Sequence, residues 1–332
     1  MDAVVSIVVV TWNSAAFLPR CLDGITQQTY QDTELIIVDN ASGDGPVFPA
    51  NATLIRNDRN LGFARAANQG IAVARGDFVL LVNPDAYLTP EYVERLMRAI
   101  NGAGAATGRL MRARGAAIEP TGAIDSMGIR MTRSGRHFDI DVIPTERSER
   151  RDPPAIAKEV PPLASLGRDD TIEVFGVSGA AALYSMSFIR DVSIDGEFFD
   201  EDFFAYREDA DVAWRGRLFG WRALVVPDAV AYHVRSVTPE RRRELSAIIN
   251  MHSVKNRFLL RLKNEGMYLA LRNAPFELFR DLVAIAAVLT IERTSLPALS
   301  WLWRNRKRIL TKRREIQRRR RVGDRELARW FR

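Results

Sequence analysis

With 332 residues, 47% of them hydrophobic and 27% charged, the chain can bury one large core or two domains and is too apolar to be disordered throughout. Its single cysteine, Cys21, excludes an internal disulfide and fits a reducing cytoplasm. The net charge of +7 is uneven: residues 240–332 carry 24 Lys and Arg against 9 Asp and Glu, so a basic tail follows an acidic body and calls for an anionic partner unless its charges lie on solvated helix faces.

The N-terminus runs at once into VVSIVVVTW (4–12), without the basic region or cleavage site of a signal peptide. This β-branched run predicts a strand covered on both faces. Phe17, Leu18, Cys21, Leu22 and Ile25 fall at helical spacing in residues 14–28, with Ser14 as N-cap. ELIIVDN (34–40) and ATLIRN (52–57) read as strands, GFARAANQGIAVARG (62–76) as an Ala-rich helix, and DFVLLVN (77–83) as a strand. A helix follows over 89–100, capped by Thr89 with Pro90 in its first turn. This β-α order predicts an α/β fold with a mostly parallel sheet flanked by helices.

Residues 122–140 read as short hairpin pieces, and the charged, Pro-rich stretch 141–162 as a mobile surface loop. IEVFGVSGAAALYS (172–185) reads as an apolar strand pair. FFDEDFFAYREDADVAWRGRLFGW (198–221) passes from an acidic, aromatic loop into a helix starting near Glu208, and 222–236 reads as strand, turn and strand. From Thr238 the chain reads helical. The apolar run 281–291 is far shorter than the ~20 residues that span a bilayer, and the Arg-rich end carries the interfacial aromatics Trp301, Trp303 and Trp330. These readings divide the chain into 1–237 (1–110 nucleotide-binding half, 111–171 insertion, 172–237 acceptor half) and a basic amphipathic helical region over 238–332.

Polar residues stand at several expected strand ends: Thr11 and Asn13, Asp39 and Asn40, Asn83 and Asp85, and His233. In an open parallel sheet these ends share one rim, so residues distant in sequence converge there. Neither GxxxxGK[ST] nor a GxGxxG after the first strand is present, which argues against P-loop and dinucleotide enzymes.

Six blocks, VSIVVVTWN, ELIIVDNASGD, NDRNLGFARAANQG, FVLLVNPDAYL, FFDEDFFAYREDADVAWRGRLFGW and PDAVAYHVRS, resemble in order the family 2 glycosyltransferases of GT-A fold, above all bacterial rhamnosyltransferase-like enzymes of cell-surface polysaccharide assembly. The resemblance implies transfer of one sugar from a nucleoside diphosphate to an acceptor hydroxyl, with inversion. The family's DXD metal motif reads Asn83-Pro84-Asp85 here, leaving Asp85 as the carboxylate ligand, and His233 matches the histidine that completes the site around Mg2+ or Mn2+. Glu208-Asp209 matches the family's Glu-Asp motif, with Asp209 as general base; both acids would also cap their helix, whose dipole favours the ionised form. Thr11, Asn13 and Asp39 match residues lining base and ribose. Asn60, Gly62, Arg65 and Asn68 match the block beside diphosphate and base, and Ser178 and Gly179 one near the donor sugar. ELARW (326–330) nearly matches a motif of processive relatives and is read as coincidence.

The expected donor is dTDP-rhamnose, with UDP- and GDP-sugars as alternatives, and the expected acceptor a saccharide or polyprenyl-linked sugar. A non-catalytic binding protein is the contrasting class. The basic tail is expected on the inner leaflet of the cell membrane, or pairing two chains through its helices, and not on nucleic acid.

Overall fold

The computed structural model describes residues 3–140, 170–235 and 247–332. The loop expected at 141–162 and the start of the helical region at Thr238 lie outside the described residues.

Strand β1 (Val5–Thr11) is buried along its whole length. Its side chains alternate between two cores, Val5, Ile7 and Val9 in one and Val8 and Val10 in the other, so β-branched residues suit every position. Strands β2 (Thr33–Asp39), β3 (Thr53–Arg56) and β4 (Phe78–Val82) extend it in the parallel order β3-β2-β1-β4. Beyond β4 lie β11 (Ala181–Ser185), antiparallel to both neighbours, then β6 (Ala105–Arg114), β12 (Ala223–His233) and, at the edge, β10 (Ile172–Val174). β7 (Glu119–Ser126) pairs with β6, and β5 (Ala86–Leu88) with β12. β8 (Ile129–Met131) and β9 (His137–Asp139) form a separate hairpin.

Helices α1 (Leu18–Thr26), α2 (Phe63–Val73) and α3 (Tyr92–Ala99) connect the parallel strands. α4 (Met186–Val192) follows β11, and α5 (Glu208–Leu218) precedes β12. Two helix starts differ from the sequence reading. Ser14 closes a turn, its carbonyl accepting from the N–H groups of Phe17 and Leu18 at 3.0 Å, and α1 begins only after it. Thr89 likewise accepts from Tyr92 N at 3.0 Å, which delays α3 to Tyr92.

The strand pair expected over 172–185 is instead β10 and β11, separated in the sheet by β12 and β6. Residues 222–235 hold one strand, β12, in which the expected turn is a bulge between Val226 and Val230. Gly108 faces that bulge: a Cβ there would lie 2.1 Å from the Ala229 carbonyl oxygen, so the close approach needs glycine.

Helices α6 (Ala247–Asn264), α7 (Met267–Thr290), α8 (Leu296–Arg304), α9 (Arg306–Arg319) and α10 (Asp324–Leu327) follow. Leu259, Leu260, Ile309, Ile316 and Phe331 join one core cluster with Phe175 and Trp214 of the sheet side. Trp330 of ELARW is packed too, beneath the Arg217 guanidinium at 4.2 Å. Much of the tail's charge is spent inside. Lys263 Nζ lies 3.0 Å from Asp211 Oδ1 and also bonds Asp200, while Lys312 Nζ lies 2.7 Å from Asp200 Oδ1 and 2.9 Å from Glu197 Oε2. The acidic body is itself a partner of the basic tail.

Candidate active site

The register places Thr11 beside Asp39, so the carboxyl ends of β1 and β2 meet at one rim, with Asn83 just beyond β4 on the other side of β1. Asp39 Oδ1 accepts from Ser42 N at 3.0 Å, and Asn13, held at φ 51°, accepts from Gly43 N through Oδ1 at 2.8 Å. Both side chains shape the loop at the rim. The buried Thr11 hydroxyl has no hydrogen-bond partner among the described residues.

Asn60 Oδ1 accepts from Asn40 Nδ2 at 2.9 Å and from Gly62 N at 2.8 Å. Gly62 sits at φ 86°, and a Cβ there would meet the Phe204 ring at 2.5 Å, so the loop before α2 locks against the loop before α5. Asn68 strengthens that join, with Oδ1 accepting from Phe199 N at 2.9 Å and Nδ2 donating to Phe199 O at 2.8 Å. Arg65, half exposed, lies 3.6 Å from Glu201 through Nε. Asn60, Gly62 and Asn68 therefore brace the site through the backbone.

At the other end, β5 and β12 run side by side and bring Asp85 to His233, with Oδ1 3.3 Å from Nε2. His233 Nδ1 lies 2.8 Å from Asp125 Oδ2, on β7. Burial alone would lower the histidine's pKa, but the bonds to Asp125 and Asp85 outweigh it and raise it to about 9. Asp125 Oδ1 in turn lies 3.1 Å from Arg235 Nε, and Arg235 pairs through Nη2 with Asp139. Sequence reasoning missed Asp125, Asp139 and Arg235. The only local signal for Asp125 is a carboxylate between Ile124 and Ser126 in a stretch otherwise poor in charge.

Asp209 stands in the first turn of α5, half-buried, with Oδ1 accepting from Ala210 N at 2.7 Å and Oδ2 from Gly179 N at 3.4 Å. Its neighbour Ser178 is buried. Burial, with Asp139 nearby, pushes Asp209 up to about 6, so desolvation outweighs the helix dipole from which a fully ionised acid was expected. Burial beside Asp209 pushes Glu208 further, to about 8. The preceding loop holds Phe204, Tyr206 and Arg207 at φ 66–73°, a conformation that costs ~1–3 kcal/mol per non-glycine residue. Asn256 of α6 secures it by donating through Nδ2 to the carbonyls of Phe203 (3.0 Å), Ala205 (2.8 Å) and Tyr206 (2.7 Å).

The donor set suits a divalent cation that is shared with a ligand. Asp85 and His233 offer one oxygen and one nitrogen, the imidazole is oriented from behind by Asp125, and among the described residues no group of three or more His, Cys, Asp or Glu could hold a metal alone. The remaining positions must be filled by phosphate oxygens or water.

A family model described as "Glycosyl transferase family 2" matches residues 6–192, more than half of the chain. The chain belongs to glycosyl transferase family 2. This family 2 chain is 37% identical over 101 residues to an uncharacterized glycosyltransferase of Haemophilus influenzae, covering 29% of this chain and 34% of that protein. It is 31% identical over 108 residues to glycosyltransferase GlyG of Streptococcus pneumoniae, covering 30% and 36%. The matched stretch thus spans about a third of the length of these relatives. Among solved structures, GalNAc-T7 with UDP, GalNAc and Mn2+ superposes with a TM-score of 0.58 at 15% identity, over 79% of this chain and 48% of that one. Residues 1–349 of S. aureus TarS in complex with UDP give 0.50 at 16% identity, over 88% and 73%. These likenesses establish the GT-A fold, with the C-terminal helices added to it.

Proposed function

We propose that this family 2 chain is an inverting, metal-dependent glycosyltransferase that moves one rhamnosyl group from dTDP-rhamnose to a lipid-linked or growing saccharide in cell-surface polysaccharide assembly. The observation that carries the reaction class is the Asp85–His233 pair joined through Asp125, Arg235 and Asp139 to the surroundings of Asp209. Mg2+ or Mn2+ held by Asp85 and His233 would supply Lewis-acid stabilisation of the departing diphosphate. Asp209, ionised above about pH 6, takes the proton of the acceptor hydroxyl as that oxygen attacks the anomeric carbon from the face opposite the leaving group. Thr11, Asn13 and Asp39 receive base and ribose at the β1–β2 rim, and Gly179 leaves room for the donor sugar beside Asp209. The reading places the chain in the cytoplasm, where such donors are made.

The rhamnosyl assignment rests on the sequence blocks. A uridine donor is the second reading, favoured by the UDP in GalNAc-T7 and TarS. A nucleic-acid-binding role loses support because Lys263, Lys312 and Arg321 face acidic residues of the body.

The test is nucleoside diphosphate release across dTDP-, UDP- and GDP-sugars, with Mn2+, Mg2+ or chelator and a polyprenyl-linked acceptor. Release from one donor, lost with chelator and in Asp85→Ala, is the expected result. Binding of donors without any release in the presence of acceptor would leave a nucleotide-sugar binding protein.

A further inference from the structure

Between Leu271 and Leu282, helix α7 is built inside out: its buried residues there are Asn273 and Glu277. An ordinary surface helix turns its charges to water and its apolar stripe to the core. Here Glu277 is buried 3.0 Å from Arg261 Nη1, Asp281 pairs with the same guanidinium, Asn273 is buried, and Arg272 donates through Nη1 to the Ala328 and Phe331 carbonyls at 3.1 and 3.3 Å. The opposite face carries Leu271, Pro275, Leu278, Phe279, Leu282 and Leu289, all exposed and falling at i, i+4, i+7, i+8, i+11 and i+18, which lie along one side of a helix. Leu271, Phe279 and Leu282 are 70%, 69% and 68% exposed, and no charge interrupts the stripe. It runs for ~27 Å along the helix.

No single helix among the described residues is long and apolar enough to cross a membrane, and α7 meets the following segment Arg293–Arg304 at a bend of 108°. The bend is followed by exposed Arg293, Arg304, Arg306 and Lys307 and by Trp303, which is 69% exposed. A cavity of about 220 Å³ opens beside the stripe, lined by Ser253, Arg257 and Arg280 together with Phe279 and Val283. An apolar stripe with Arg280 at its flank, followed beyond the bend by exposed cations and an interfacial aromatic, matches a bilayer with anionic headgroups. It does not suit a second copy, whose own cations would be brought against these.

We propose that the outer face of α7 docks in the plane of an anionic membrane, with its leucines and Phe279 in the acyl boundary and the basic residues at the headgroups. The inference bears on the lipid-linked acceptor proposed above, but it is read by vesicle binding, whereas the chemistry is read by donor turnover, so either can fail alone.

The test is flotation of the full chain with phosphatidylcholine vesicles containing phosphatidylglycerol, against phosphatidylcholine alone, for the parent and for Leu278→Glu combined with Leu282→Glu. Both leucines are exposed, so circular dichroism and melting should be unchanged. The parent is expected to float with the anionic vesicles and at least ~10-fold less with the neutral ones. The double variant should lose at least ~10-fold of the anionic binding. In Phe279→Trp the added emission should shift to the blue on anionic vesicles and be quenched by lipids brominated in their acyl chains. Three results overturn the proposal: no recruitment to either vesicle, recruitment that the double variant leaves intact, or a concentration-dependent dimer that the double variant dissolves without any vesicle binding.

Discussion

Nδ1 of His233 lies 2.8 Å from Oδ2 of Asp125, whose side chain has no exposure to solvent. The contact fixes which ring nitrogen faces Asp85 and aims Nε2 towards the candidate metal position. Asp125→Asn keeps the shape and removes the charge. Mn2+ affinity in the presence of nucleoside diphosphate should fall ~10- to 100-fold, read by electron paramagnetic resonance of free Mn2+. Unchanged affinity would reduce Asp125 to a partner of Arg235.

Metal binding should expel a proton. With its pKa raised to about 9, His233 is charged near neutrality, and its Nε2 proton must leave before a cation can bind there. Mn2+ affinity should therefore rise ~10-fold per pH unit up to about pH 9, and calorimetry in buffers of different ionisation enthalpy should count one proton released. The same raised pKa means that, without metal, His233 contributes stability fully below about pH 6.5 and loses that contribution as pH rises through about 9.

Ionisation of Glu208 and Asp209 in the first turn of α5 acts in opposite directions on rate and stability. Turnover should rise with pH through about 6 as Asp209 ionises, and Asp209→Asn should lower it ~10²- to 10⁴-fold while donor affinity, read by calorimetry, changes little. Because burial raises both pKa values, the folded chain holds protons that the unfolded chain has released, so stability falls as pH climbs from about 4 to about 8. Glu208→Gln should flatten that slope in urea titrations at several pH values. A variant whose stability keeps the parent's pH dependence would place the destabilising charge elsewhere.

Lys263 is nearly fully buried between Asp200 and Asp211. Lys263→Met would leave carboxylates with part of their compensation gone, and breaking a buried pair in this way costs ~3–5 kcal/mol. Urea unfolding should show a loss of that size, and the loop before α5 should become more open to protease, since Asn256 on the same helix holds its carbonyls.

The parallel half of the sheet was legible because each strand is a local apolar run, and the all-buried pattern of β1 needs nothing beyond its own β-branched residues. Asp85 and His233 were legible through the blocks around them. Asp125 was not, since its meaning depends on a histidine 108 residues away. Two cations of the tail were illegible for the same reason: Lys263 and Lys312 look like surface charge until Asp200, 63 and 112 residues earlier, is placed beside them. The stripe on α7 was hidden because the charged residues interleaved with it break the apolar run, and only the fold tells which of them turn inward.

Lys263 and Lys312 both reach Asp200, and Lys263 also reaches Asp211 in the first turn of α5. That arrangement limits how this chain can be recombined. Exchange of its C-terminal helices for those of another family member would leave Asp200 and Asp211 sealed beneath the graft without these cations, unless the donor supplied lysines at equivalent places. The sheet and the helices must then diverge together, and a hybrid enzyme assembled at this seam should fail unless the aspartates are exchanged along with the helices.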